Sequence, residues 1–380
     1  MAFVLITIIT FLGFLDTTLL VPVISTYATG IGASVGISGL VIGLYSITNT
    51  PSSIFFGRLI DRVGYKTPLI LGLAADAGFL FLYGLTGNPL QLASVRAAHG
   101  ISGGIAGPAT MAAISGLAST GGRAKTMSAY GMALAFGNLV GFAASGIIVT
   151  RFSYQALFWT ASGLVLMAVI FSMMLPRPPR LLASAVPQYT RVSIRSLLRK
   201  KPLLASYACI FAQYFTLGSV VTLLPLYAKT LGLEPMHTGM ILAAFTVTFI
   251  IVQFPSGHIS DKVGRLPPMV AALVIGMVAL LGLPFLKTFP LLAAAMGLYG
   301  ISYGLLFPSV SALVADHTAE HERGTGMGIF HAMLTAGVAI GAPVMGGVGE
   351  RIGLDKGLLA TPAVLVAALV FSVWASRKKQ

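Results

Sequence analysis

Four ionisable residues stand inside otherwise apolar runs of this chain: Asp16, Asp76, Arg96 and His99. A charge near the centre of a bilayer costs at least about 2.5–3.5 kcal/mol, so groups of this kind are retained for pairing or for chemistry. Carboxyl and imidazole groups take up and release protons, and a guanidinium holds a carboxylate. The chemistry on offer is therefore proton exchange. Counting inward from the outer ends of their runs at about 1.5 Å per residue puts Asp16, Asp76 and His99 at a common depth of roughly 15 Å, with Arg96 about one turn nearer the outside. Arg96 and His99, three residues apart, share one helix face. All four are candidates for proton coupling, and Asp76 can equally be a pairing partner for Arg96 or His99.

The elements that must position these groups are membrane helices. Charged residues are 9% of the 380 and apolar types 56%, too little charge to cover a water-facing surface. Apolar stretches near the 20 residues that a helix needs to cross hydrocarbon occur twelve times, at about 3–26, 37–57, 68–87, 89–117, 126–149, 154–175, 203–228, 236–257, 268–286, 289–315, 325–349 and 355–374. The expected fold is an all-α membrane protein, with twelve transmembrane helices in two pseudo-symmetric six-helix bundles. Its divisions are an N-terminal bundle (1–175), a cytoplasmic basic linker (176–202) and a C-terminal bundle (203–380).

The pseudo-symmetry is written in the sequence. Gly57, Asp61 and Gly64 recur 200 residues later as Gly257, Asp261 and Gly264. Gly100, Gly104 and Pro108 return as Gly300, Gly304 and Pro308, and Gly137, Gly141 and Gly146 return as Gly337, Gly341 and Gly346. Two related hydrophobic halves are a usual construction of secondary transporters, with the substrate between them near the midplane. The four ionisable residues do not recur. Thr216, Gly276, Met296 and Tyr299 hold their places, so the duplication has become functionally asymmetric. Glycines spaced four apart, as at Gly100, Gly104 and at Gly103, Gly107, read first as helix-packing faces.

The net charge of +14 raises nucleic acid as a partner, and the placement of the charge excludes it. Eighteen of the 24 Lys and Arg fall in the loops of one side and in the C-terminal tail. That is the positive-inside bias, which sets a multi-pass protein of the cytoplasmic (inner or plasma) membrane with both termini in the cytoplasm. The linker, with PRPPR and RKKP, enforces topology and meets anionic headgroups. Met1 to Leu15 carries no basic n-region and no cleavage site, so it reads as the start of span 1. The single cysteine, Cys209, excludes an intrachain disulfide.

GRLIDRVGYK (Gly57 to Lys66) and GHISDKVGR (Gly257 to Arg265) occupy the loops after spans 2 and 8. They resemble the two copies of the signature loop of the major facilitator superfamily, matching at Gly57, Arg58, Leu59, Asp61, Arg62, Gly64 and Lys66, with Tyr65 where the family usually has a basic residue. Gly57 and Gly64 permit close approach and a tight turn. Asp61, between Arg58 and Arg62, can form a charge relay. The resemblance implies that Asp61 meets the start of span 11 and latches the halves outward-facing, with Asp261 and Arg265 as the second copy. FLDTT (Phe14 to Thr18) resembles the span 1 acidic motif of drug/proton antiporters, and RAAHGISGG (Arg96 to Gly104) the span 4 arginine motif tied to proton coupling. The antiporter signature of span 5 appears as GNLVGFAASG, with Phe142 in place of proline, and a closer relic, GVAIGAPVMGG, sits in span 11.

The resemblance implies a secondary transporter cycling by alternating access, powered by a proton gradient and needing no cofactor. Its reading is efflux of an amphipathic or cationic compound that competes with a proton at Asp16. The first rival is a proton-coupled importer of a small organic anion anchored by Arg96, and the second is a membrane enzyme or a non-transporting sensor. Substrate-cavity candidates are Tyr45, Asn49, Asn138, Gln213, Tyr214, Gln253, Tyr299 and Tyr303. The expected partners are a small molecule, protons and the bilayer, with the chain a monomer. No catalytic or metal residues are assigned. HTAEH (His317 to His321) fits a metalloprotease pattern but sits in a short loop with no catalytic domain, and GTGMG at Gly324 lacks the preceding strand of a nucleotide loop.

Overall fold

A computed structural model describes residues 2–117, 123–175, 194–319 and 321–376, without the side chains of residue 2, of Asp61 and of 115–129. Of the linker only its end is therefore described, and Glu320 of the HTAEH stretch lies outside. Fifteen α-helices follow one another among the described residues: α1 (Ala2–Thr18), α2 (Ile24–Gly30), α3 (Val35–Val63), α4 (Lys66–Tyr83), α5 (Pro89–Leu117), α6 (Arg123–Arg151), α7 (Tyr154–Met173), α8 (Ile194–Leu198), α9 (Lys201–Thr230), α10 (Pro235–Val263), α11 (Leu266–Gly282), α12 (Phe289–Asp316), α13 (Arg323–Ile352), α14 (Leu354–Ala360) and α15 (Ala363–Ser376). Among the described residues nine helices are individually long and apolar enough to cross a membrane. α3 and α5 are longer than most, at 29 residues each, and are diluted by the polar groups that make them informative.

Span 1, expected to be continuous over 3–26, is broken between α1 and α2. Pro22 is the reason, because it has no N–H to give the carbonyl four residues back, and its ring crowds that position. α1 ends at that residue, Thr18. The Ser145 hydroxyl takes the neighbouring Leu19 carbonyl, so one group freed by the break is satisfied from α6. Thr222 stands at the matching place of α9, which runs unbroken. The last span breaks in the same way, between α14 and α15 ahead of Pro362.

The chain divides into two compact units, one of Met1–Ser34, Leu44–Val186 and Glu234–Gly239, the other of Val35–Gly43, Pro187–Leu233 and Met240–Gln380. In the first, α4 packs on α5 and α7, and α1 on α5, α6 and α7; in the second, α9 packs on α12, α13 and α15, and α11 on α12. The repeat holds at atomic detail inside each unit. The Thr48 hydroxyl donates to the Ala97 carbonyl at 2.8 Å, and Thr248 donates to Gly297 at 2.7 Å. A Cβ on Gly100 would strike Thr48 and the Tyr45 carbonyl, and one on Gly300 would strike Thr248 and the Phe245 carbonyl. Tyr27 donates to the Thr86 carbonyl at 2.8 Å, and Tyr227 donates to the Pro284 carbonyl at 2.8 Å. Gly107, by contrast, would carry a Cβ into open space, so the packing face is Gly100, Gly103 and Gly104.

The signature loops are shorter than expected. α3 continues to Val63 and α10 to Val263, so Asp61 and Asp261 belong to helix ends rather than to loops. The turn is made at Gly64 and Gly264, with φ of 83° and 86°, a region that favours glycine. Gly57 needs another account than close approach, since a Cβ there meets nothing within 4 Å. The side chain of Asp61 lies outside the described residues. Arg58 and Arg62 are exposed, and Lys66 donates to the Met173 carbonyl at 2.9 Å and to that of Leu175, capping α7 with a cation. In the second copy Arg265 pairs with Asp261, and at 2.8 Å with Asp316 at the end of α12. Tyr65 and Gly116 stand at the equivalents of Arg265 and Asp316, so the first copy cannot build that bridge.

Where the linker meets α9, Lys200 reaches the Glu322 carboxylate at 2.6 Å and the His317 carbonyl at 3.1 Å. Lys200, with the Ala319 amide, holds the Glu322 carboxyl below its usual range. A depressed carboxyl stabilises the fold above its unfolded pKa, near about 4.3, and that contribution is lost as the pH falls through the folded value. The Glu322→Gln variant is expected to melt below the parent at pH 7 in a detergent thermal-shift assay. The gap should close progressively once the pH drops below about 4.

Candidate functional site

Three helices of the first unit bring the ionisable residues together. α1 delivers Asp16 within its last turn, α4 delivers Asp76 from its middle, and α5 delivers Arg96 and His99 one turn apart. α3 lies close against α5, because Gly100, Gly103 and Gly104 leave room for the Tyr45 backbone and hydroxyl, Asn49 and Ser52. The close approach sets Tyr45 beside His99, ring centroids 5.2 Å apart, and puts the Arg96 guanidinium 4.7 Å over the Tyr45 ring.

His99 is the hub of the cluster and has no solvent exposure. Its Nε2 lies 3.4 Å from Asp16 Oδ2 and 3.8 Å from Asp76 Oδ1, while its Nδ1 lies 3.2 Å from the Tyr83 hydroxyl. Arg96 Nη1 donates to that same hydroxyl at 3.4 Å. A guanidinium only donates, so the Tyr83 oxygen accepts from Arg96 and its own proton is available for Nδ1. Neutral His99 then carries its proton on Nε2, facing both aspartates. Asp76 also takes the Ser102 hydroxyl. Hydrogen bonds link Arg96, Tyr83 and His99, and the two carboxylates lie within ion-pair distance of Nε2, which has no hydrogen-bond partner among the described residues.

Both aspartates are buried, Asp76 at 1% and Asp16 at 5% exposure. With both ionised and Arg96 charged, the group is one negative charge in excess in surroundings that do not tolerate it. One bound proton, on either carboxylate or on His99, makes it neutral. Of the two partners expected for Asp76, the structure gives it His99; Arg96 turns instead to Tyr83 and Tyr45. Arg96 Nε is buried and has no hydrogen-bond partner among the described residues.

The equivalent place in the second unit is an aromatic and amide knot. Tyr299 meets the Thr216 hydroxyl at 2.6 Å, and Tyr303 donates to the Gln213 carbonyl at 2.7 Å. The Tyr303 ring meets Tyr214 at a tilt, centroids 5.6 Å apart, and Phe245 edge to face at 5.0 Å. Gln213, Tyr299 and Tyr303 are thereby enclosed, whereas Tyr45, Asn49, Asn138, Tyr214 and Gln253 are half-buried. Where Asp76 engages Ser102, Gly276 leaves Ser302 to donate to the Ala272 carbonyl at 2.7 Å.

Two members of the cluster escaped sequence reasoning. Tyr83 sits near a span end among apolar neighbours, and only its departure from Leu283 distinguishes it. Ser102 recurs as Ser302 and carries no such signal.

The family model described as Major Facilitator Superfamily matches residues 6–239 and 207–380. The inner membrane transport protein YajR of Escherichia coli is 25% identical over 362 residues, covering 92% of this chain and 79% of that protein. The quinolone resistance protein NorA of Staphylococcus aureus is 27% identical over 173 residues, 46% of this chain and 44% of that protein. Among solved structures, a bacterial homologue of the human lysosomal transporter Spinster, inward-facing and unoccupied, superposes with a TM-score of 0.86 at 15% identity, covering 99% of this chain and 96% of the other. The nucleoside transporter NupG gives 0.80 at 15% identity, covering 98% and 99%. With the family model spanning the chain and the fold shared, this multi-pass membrane protein belongs to the Major Facilitator Superfamily and is a transporter.

Proposed function

We propose that the chain exports an amphipathic or cationic small molecule by alternating access, in exchange for protons, with Asp16 as the group where proton and cargo compete. Residues 1–175 and 203–380 form the two halves, and both termini face the cytoplasm. The observation that carries this reading is the excess negative charge of the Asp16, Asp76, His99 and Arg96 cluster. One proton neutralises it, and so does one cationic cargo near Asp16, the more exposed of the two acids. Asp76, Arg96, His99 and Tyr83 surround Asp16 with the charges and dipoles it faces. Kinship to a protein named for quinolone resistance agrees with an organic, drug-like cargo. The latch is assigned to Gly57, Arg58, Asp61, Arg62, Gly64 and Lys66, with Asp261 and Arg265.

A second reading rests on Arg96. Its buried Nε, without a hydrogen-bond partner among the described residues, suits an anion, and an importer carrying an organic anion with a proton would use it. The sign of proton movement separates the two. Tetraphenylphosphonium added to the detergent-solubilised protein in weak buffer is expected to release on the order of one proton per bound cation, by the reciprocity of linked binding, and Asp16→Asn should abolish that release. Proton uptake on adding an organic anion, with none released by the cation, would replace export by import.

A further inference from the structure

The second unit carries an apolar groove about 480 Å³ in volume, outside the cluster described above. It lies between α8, α9, α13 and α15, lined among others by Leu198, Leu204, Phe211, Ile329, Met333 and Phe371. The one hydroxyl in it, that of Tyr207, donates to the Gly326 carbonyl at 3.1 Å, so the groove offers no polar group to a ligand. From Lys201 to Phe211 α9 rises about 15 Å, roughly the length of a twelve-carbon segment of an extended acyl chain. A second depression, of about 410 Å³, is lined by Leu369, Val370, Val373 and Trp374. At about 100° per residue its centre lies some 130° around α15 from Phe371. The rings of Phe371 and Trp374, with centroids 5.7 Å apart, form the ridge between the two troughs.

One end of this double trough is strongly basic. Leu198 lines the groove, and Arg195, Arg199, Lys200 and Lys201 surround it in sequence. Lys201 Nζ stands 5.1 Å over the Trp374 ring. Lys200 is engaged by Glu322, but Arg195, Arg199 and Lys201 have no ion pair among the described residues. Two apolar troughs meeting at three cations match one class of partner: a lipid with two acyl chains and an anionic phosphate headgroup. Acyl chains alone give no preference inside a bilayer, where every lipid supplies them; the basic mouth confers it.

We propose that this face of the second unit is a binding site for an anionic phospholipid, which seats one acyl chain on each side of the Phe371 and Trp374 ridge. Its phosphate lies against Arg195, Arg199 and Lys201, and it pins α8, the end of the linker, to α9. The site is independent of the proposed exchange of cargo and protons.

The chain has two tryptophans, and Trp374 sits on the ridge with half of its surface exposed. In the Trp159→Phe protein, in vesicles of phosphatidylcholine, acyl-brominated phosphatidylglycerol is expected to quench Trp374 with about fivefold higher apparent affinity than acyl-brominated phosphatidylcholine. Combining Arg195→Gln and Arg199→Gln, both exposed, with Lys201→Gln, half-buried, should reduce that ratio to one. The Trp374→Phe protein, reporting through Trp159, should show no preference. Equal quenching of Trp374 by the two lipids overturns the site, as does a preference that survives the triple substitution or appears equally at Trp159.

Discussion

Asp16→Asn is expected to lose the whole pH-driven component of transport while the folded protein keeps cargo exchange between equal pH compartments. For a proton–cargo coupling of about 1–3 kcal/mol, the pH-dependent change in cargo affinity that disappears with it is roughly 5- to 150-fold. The amide keeps the shape of the carboxyl and a contact for His99 Nε2, now 3.4 Å from Asp16 Oδ2, and removes only the titrating charge. It also removes the excess negative charge, so the melting temperature should not fall. Asp76→Asn is the contrast. Asp76 accepts from Ser102 and lies 3.8 Å from His99 Nε2 at 1% exposure, and its loss should shift the pH profile more than it lowers the flux. Flux driven by a pH gradient in proteoliposomes decides the matter. If Asp16→Asn retains full gradient dependence, the exchange site lies elsewhere.

Gly341→Ala is expected to cost about 1–3 kcal/mol, as overpacking of a close contact does. A Cβ there would fall 2.7 Å from the Phe215 Cα and 2.8 Å from its carbonyl carbon, and backbone cannot turn aside as a flexible side chain can. α9 and α13 must then separate along much of their length. Gly347→Ala is the control two turns on, with nothing within 4 Å of its Cβ, and it should melt with the parent. Thermal unfolding of the two variants in one detergent makes the comparison. Equal melting temperatures would mean that the α9 and α13 contact is looser than the backbone distances require.

Much of this was legible in the sequence, for identifiable reasons. A hydrophobic run of membrane length has few alternatives to a helix, so spans such as 89–117, which is α5, fall where expected. The repeated glycines marked real close approaches at Gly100 and Gly300, because only the absence of a side chain makes those contacts. Depth counting placed Asp16, Asp76 and His99 at one level, and they meet. What it could not give was rotation about the helix axis. Arg96 is therefore an open candidate for Asp76 in the sequence, and its direction to Tyr83 and Tyr45 is set by packing against α4 and α3. The break after Thr18 hung on a single proline inside an apolar run. Elsewhere, as at Pro225 in α9, a proline leaves the helix continuous, so composition alone does not decide.

The buried charged groups among the described residues, Asp16, Asp76, Arg96 and His99, all belong to the first unit. The knot of Gln213, Thr216, Tyr299 and Tyr303 that replaces them carries dipoles but no net charge. A membrane voltage does work on charge, about 2.3 kcal/mol per elementary charge across 100 mV. Among the described residues, the buried side chains on which such a voltage can do work are therefore those of the first unit.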